Sequence, residues 1–197
     1  MSTSRSDTSV GARPRQESRL TGRGWGIAGC SFRRVMALVR TERLELRWAG
    51  VGDFDALCEM WTDELVGQFM GDYGPRDDEA VRGWLTGFVD DGTHVQFSLV
   101  RRSDGEVVGW LGMGESEEPV ADWSFGYAVR AAHRGQGYMT EALTAGLEYC
   151  RGELGVGSLW GECFVGNVAS ARVMTGAGMV EIEPVERSRR FRTPASV

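Results

Sequence analysis

From residue 41 the chain changes from irregular to patterned. Leu44, Leu46 and Trp48 alternate with Glu45 and Arg47, the period of a half-buried strand. Phe54, Leu57, Cys58, Trp61 and Leu65 recur at helical spacing, with Asp53 near the start of that helix, where an acid is favourable. Val81, Trp84, Leu85 and Phe88 predict a second helix, opened by Asp77 or Asp78 and closed near Gly92. Val95, Phe97 and Leu99 form a strand, Ser103-Asp104-Gly105 a turn, and Val107, Trp110 and Leu111 a partner strand, so 94–114 reads as a hairpin. After a polar loop from Glu115 to Pro119, Trp123, Phe125, Tyr127 and Val129 alternate in a further strand.

A turn carrying two glycines, His133 to Tyr138, leads into the longest helical pattern: Met139, Ala142, Leu143, Gly146, Leu147 and Cys150. Leu159 to Phe164 reads as a short strand. Val168 to Thr175 reads as a short helix stopped by Gly176-Ala177-Gly178. A last strand spans Met179 to Val185, interrupted by Pro184. The order β-α-α-β-β-β-α-β-α-β predicts a mixed α/β domain with a strand-turn-helix unit at its centre. The expected division is a basic disordered tail at 1–38, a folded domain at 39–186 and a basic C-terminal tail at 187–197. Residues 1–26 lack an apolar period and are rich in Ser, Arg and Gly. A transit peptide would share that composition, and so would untranslated sequence upstream of a start at Met36.

Charge sharpens this division. Residues 1–40 hold eight arginines and two acids, whereas 41–183 hold ten arginines against twenty-five acids. An acidic centre repels nucleic acid and favours cationic partners. The chain has no lysine, so every basic side chain that is always charged is an arginine. No run of about 18 apolar residues occurs, so no transmembrane helix is expected. Cys30, Cys58, Cys150 and Cys163 form no CxxC pair, and His94 and His133 lack ligand spacing. A reducing cytoplasm and the absence of a metal site are the expectations.

Two clusters carry candidate chemistry. In Arg130 to Tyr138, Gly135 and Gly137 let a backbone approach an anion at a helix N-terminus, and Arg134 adds a guanidinium. Turn geometry alone would also call for glycines there. The cluster lacks the further acid of a dinucleotide site and the Gly-Lys-Ser/Thr of an NTPase loop. In Asn167 to Met174, Asn167 is a good N-cap with Ser170 one turn on, and plain capping would also explain the pair.

Together the clusters resemble the GNAT superfamily of N-acetyltransferases, nearest the branch of ribosomal-protein N-terminal-alanine acetyltransferases. The resemblance rests on TERLELR at 41–47, RGQGYMTEAL at 134–143, NVASARVM at 167–174 and GAGM at 176–179. It implies a mostly antiparallel sheet with a splayed strand pair, flanking helices and a shortened C-terminal hairpin. It implies acetyl-CoA as co-substrate, with no metal, and a primary amine as acceptor: a protein N-terminus, an amino acid, a polyamine or an aminoglycoside. The pantetheine arm would pair with Tyr127, Ala128 and Val129. The amides of Arg134, Gly135, Gln136, Gly137, Tyr138, Met139 and Thr140 would hold the pyrophosphate. Asn167 and Ser170 would face the thioester, and the N–H of Tyr127 or Ala128 would polarise the acetyl carbonyl. The amine would attack directly, with no protein nucleophile.

The resemblance is also broken in three places. Met174 stands where many members have a tyrosine near the leaving sulfur, which makes Ser170 the candidate donor. Ser124 stands where this branch often has a glutamate, leaving Asp122, Glu162 or a water chain as candidate base. Residues 180–197 are short and basic, so part of the acceptor wall falls to another subunit of a homodimer or is missing. Those departures keep a second reading open, a catalytically weak acyl-CoA-binding module. Acids at Asp63, Glu64, Asp72, Asp77, Asp78 and Glu79 are candidates to attract a cationic acceptor, or plain solvated surface.

Overall fold

The computed structural model describes residues 38–70, 74–75, 77–87, 92–185 and 187–194. Most of the expected N-terminal tail lies outside these residues, as do Cys30, Asp72 and Phe88. The strands are β1 Leu38–Arg40, β2 Leu44–Trp48, β3 His94–Arg101, β4 Val107–Glu115, β5 Trp123–Val129, β6 Leu159–Phe164, β7 Val180–Val185 and β8 Ser188–Arg192. The helices are α1 Phe54–Trp61, α2 Glu64–Met70, α3 Asp78–Gly87, α4 Tyr138–Gly152 and α5 Val168–Gly176.

The eight strands form one sheet in the order β1-β2-β3-β4-β5-β6-β8-β7, antiparallel everywhere except between β5 and β6. Strand alternation sends successive residues to opposite faces. Leu46, Phe97, Leu99, Leu111 and Met113 pack against α4 and α5, whereas Trp110 and Ala128 pack against α1 and α3. The periodic residues of α4, from Met139 to Cys150, are all buried, as their spacing requires.

Three segments differ from the sequence expectation. The helix expected from Phe54 through Leu65 is two helices. Asp63 interrupts it by accepting from the Val66 amide at 3.1 Å, which starts α2 afresh. Leu38 belongs to β1, which pairs with β2 from Leu38↔Arg47 to Arg40↔Glu45. The stretch from 187 is not wholly a tail. Phe191 is 1% exposed and Thr193 3%, and β8 inserts between β6 and β7. Arginines at alternate positions hid the one buried aromatic that anchors that strand. The C-terminal hairpin is therefore short, six residues against five, yet paired on both sides of β8. Pro184 sits where the β7–β8 register shifts, between Ile182 and Val185.

Candidate active site

The central feature is a break in the sheet. β5 pairs with β4 along its whole length, from Glu115↔Trp123 to Gly109↔Val129. It pairs with β6 only at Trp123↔Leu159 and Ser124↔Trp160. Beyond Ser124 the two strands part, and the Gly126–Val129 edge of β5 faces an opening. The Phe125 ring covers Gly161 of β6: a Cβ placed on that glycine would lie 2.5 Å from the ring. Tyr127 stacks beside Phe125, with centroids 6.1 Å apart and planes 11° apart.

A cavity of about 890 Å³ occupies the opening and continues to the opposite face of the sheet. Tyr127, Cys163 and Ser170 line one side, and Val66, Met70 and Trp110 line the other.

β5 runs into a 3₁₀ turn, Ala131–His133, and then into α4. Gly135 has φ +74° and Gly137 φ +79°, the left-handed region where a side chain is strained. Gly137 is the N-cap residue of α4, and no side chain caps that helix. Its first amides are left for a ligand or water, at the positive end of a fifteen-residue helix. Space in front of Gly135 is open: a Cβ there would meet nothing within 4 Å.

The guanidiniums expected beside this turn are engaged elsewhere. Arg134 donates through Nε to the Val129 carbonyl at 3.1 Å and through Nη2 to Asp63 at 2.6 Å. The Arg134 hydrogen bond holds the Asp63 carboxyl below the usual range. Arg130 is gripped by Glu59 and by Glu106. Arg101 reaches the flank of the turn at His133, 3.4 Å away, and Arg43, from the β1–β2 connection, touches the glycine stretch itself. Arg43 Nη1 donates to the Gln136 carbonyl at 2.9 Å, its Nε donates to Glu141 at 2.7 Å, and its guanidinium lies 4.7 Å from the centroid of the Tyr138 ring. Sequence reading missed this role because Arg43 lies 93 residues from Gln136.

Across the opening, the Tyr127 hydroxyl lies 2.8 Å from Ser170 Oγ and donates to the Ser170 carbonyl at 3.2 Å. Burial pushes the Tyr127 phenol well above its ordinary range, against a smaller opposing effect of the Ser170 hydrogen bond. Asn167 caps α5, its Oδ1 accepting from the Ser170 amide at 3.1 Å. Capping and a cavity-facing position thus coexist at Asn167 and Ser170. Cys163 lies on the same wall, its thiol pushed up chiefly by burial. Met174 is fully buried in the core, so no polar group takes its place at the opening.

The candidate bases separate. Asp122 accepts from the Ser158 amide at 2.8 Å and from its hydroxyl at 3.1 Å, which secures the start of β6. Glu162 lines the cavity and is paired with Arg190 at 3.3 Å. Ser124 faces the cavity at the end of a cross-strand row, His94↔Gly114↔Ser124, with a glycine between. The acids at 63–79 are largely local fixtures. Asp63 and Asp77 cap α2 and α3, while Asp78 and Glu79 lie in the first turn of α3. The acids on the cavity wall are instead Glu115, Glu117, Glu118 and Glu162.

Residues 43–180 match the acetyltransferase (GNAT) domain family. An uncharacterized N-acetyltransferase p20 of Bacillus licheniformis is 28% identical over 117 residues, covering 58% of this chain and 66% of that protein. The FsC-acetyl coenzyme A-N(2)-transacetylase of Aspergillus fumigatus is 32% identical over 164 residues, 76% of this chain and 68% of that protein. The chain spans about two thirds of the length of both. A solved structure of RimL, a ribosomal L7/L12 α-N-protein acetyltransferase in complex with coenzyme A, superposes with a TM-score of 0.69 at 19% identity, covering 81% of this chain and 98% of that one.

Proposed function

The chain belongs to the acetyltransferase (GNAT) family, and from that premise we propose that it transfers acetyl from acetyl-CoA to a primary amine by direct attack. One observation carries this reading. The β5–β6 ladder stops at Ser124, and the freed strand leads within a few residues to an uncapped helix N-terminus. A pantetheine amide needs an unpaired strand edge, and a pyrophosphate needs converging N–H groups. Here the two lie in sequence along one segment.

In this reading the arm of acetyl-CoA lies along Tyr127–Val129 and its pyrophosphate over the amides of 134–140. The Tyr127 N–H polarises the acetyl carbonyl, since the Ala128 N–H is turned towards β4. The neutral amine forms a bond to the carbonyl carbon, and the C–S bond breaks. Ser170 hydrogen-bonds the departing sulfur, and the amine's surplus proton reaches the thiolate through water and this hydroxyl, which ends the step protonated. Asn167 acts by holding the first turn of α5, and so Ser170, in place. Arg134 contributes its backbone to the turn, and its side chain ties the turn to α2.

The acceptor enters from the face covered by α2, and the cavity-lining Glu115, Glu117 and Glu118 favour a cationic amine. The substrate named for RimL is a protein N-terminus, an amine of the class proposed here. A supply of acetyl-CoA suits the cytoplasm. The test is a screen of peptides, amino acids, polyamines and aminoglycosides with acetyl-CoA, read by thiol release and by the mass of the acetylated product. Release only by hydrolysis, with no acetylated amine in any class, would overturn the proposal.

A further inference from the structure

We infer that Arg43 is a positioning residue for the phosphate-binding turn, and that it, rather than the side chain of Arg134, sets the affinity for the nucleotide part of CoA. This inference rests on the reading of the 134–140 turn given above.

The turn has an intrinsic weakness. Gly135 and Gly137 both lie in the left-handed region, and glycine adopts either sign of φ with similar ease. The peptide unit between Gln136 and Gly137 is therefore free to rotate in the absence of an external hold. Its orientation decides what the turn presents. A trans peptide points its C=O and N–H in opposite directions. With the Gln136 carbonyl on Arg43 Nη1 at 2.9 Å, the Gly137 N–H is turned away from Arg43. Were the unit to flip, that face would present a carbonyl oxygen to an anion.

The hold itself is rigid. Glu141, in the first turn of α4, accepts from Arg43 Nε at 2.7 Å, from the Arg43 amide at 2.8 Å and from Thr41 Oγ1. Burial works against the Glu141 charge, and these hydrogen bonds outweigh it and hold the carboxyl below its usual range. Arg43 thus has one nitrogen on Glu141 and another on Gln136, with its plane over Tyr138. It also offsets a negative charge that would otherwise stand beside the anion site. A fork reaching two acceptors is a property of arginine that lysine lacks.

The experiment is calorimetric titration of the full chain with CoA and with pantetheine, which lacks the phosphates. Arg43→Ala should weaken CoA roughly tenfold, in keeping with the loss of a hydrogen bond to a charged group, and leave pantetheine unchanged. Arg43→Lys should fall in between. CoA binding by Arg43→Ala within twofold of the unaltered chain would overturn the inference. So would equal weakening of CoA and pantetheine, which would mark a merely structural role. Should Arg43→Ala fail to fold, Arg43→Lys carries the test, since it keeps a cation for Glu141 but cannot also hold Gln136. An unaltered chain that does not bind CoA would overturn the reading of the turn itself, and the clamp with it.

Discussion

The hydroxyls of Tyr127 and Ser170 meet 2.8 Å apart across the opening between β5 and α5, joining residues 43 positions apart in the chain. A serine hydroxyl in a helix commonly turns back onto its own backbone. Here a phenol engages both the oxygen and the carbonyl of Ser170, which keeps the side chain toward the cavity. The Tyr127 phenol, pushed up by burial, carries one proton, which either the Ser170 carbonyl or Ser170 Oγ can accept. When that proton goes to Oγ, the Ser170 hydroxyl can turn its own proton from Cys163 to a departing thiolate.

Ser170→Ala is expected to lower kcat about 10²-fold, the lower end for a positioned proton donor, with little change in KM for acetyl-CoA. Tyr127→Phe should lower kcat less. The double variant should be no slower than Ser170→Ala, because both hydroxyls serve one proton. Steady-state thiol release decides it, and fully additive losses would separate the two roles.

CoA at about 100 times its Kd should stabilise the fold by about 2.7 kcal/mol, a rise in Tm of roughly 5–10 °C for a chain of this size. Gly137→Val should abolish the shift. At φ +79° a β-branched residue is strained, at a cost of roughly 1–3 kcal/mol, and its Cβ would stand 3.5 Å from the Arg43 guanidinium that holds the turn. A full shift in the valine variant would remove the turn from the site.

Asp53 offers a stability test away from the opening. It is 2% exposed and accepts from Arg47 at 2.9 and 2.5 Å, from Ser98 Oγ at 2.7 Å and from the Gly50 amide at 3.1 Å. Burial alone would push its carboxyl up, yet the hydrogen bonds from Arg47, Ser98 and Gly50 together hold it down. A carboxyl lowered on folding contributes stability above its unfolded pKa, about 3.9, and that contribution is lost as pH falls through the folded value. Asp53→Ala should cost about 3 kcal/mol at neutral pH, by stranding Arg47 and Ser98. The gap between variant and parent should close below about pH 4 in denaturant titrations. A gap independent of pH would assign the cost to packing alone.

For a cationic acceptor found in the screen, kcat/KM should fall with added salt, since screening acts over about 8 Å at physiological ionic strength. It should also rise from pH 6 towards pH 9 as the amine loses its proton. Replacing Glu115, Glu117 and Glu118 together by Gln should flatten the salt dependence. A slope unchanged by that replacement would place the steering elsewhere.

The strand alternations and the α4 stripe were legible because each repeats over several residues and answers to one burial face. The glycine turn was legible because Gly135 and Gly137 sit between two such runs. What escaped was set by contacts across the chain. Nothing near Arg134 in sequence announces Asp63, and nothing near Gln136 announces Arg43. β8 escaped because Phe191 is a single buried aromatic among arginines. The break at Thr62–Asp63 escaped because Leu57, Trp61 and Leu65 keep a helical period straight through it. The backbone of Tyr127 was singled out from the resemblance, whereas its phenol gained its place only once α5 had folded over the opening.

The two-residue ladder between β5 and β6 also makes a seam. On one side lie five strands paired antiparallel, with one register shift in the β3–β4 ladder, and on the other three strands built from the last quarter of the chain. Cohesion across the seam falls mainly to α4 and α5, not to the sheet. The pantetheine arm proposed to lie in the gap would add hydrogen bonds to the open edge of β5. If the chain opens first at this seam, the amount of intact protein in a cell would follow the supply of that partner. Metabolic state would be written into the lifetime of the molecule as well as into its turnover.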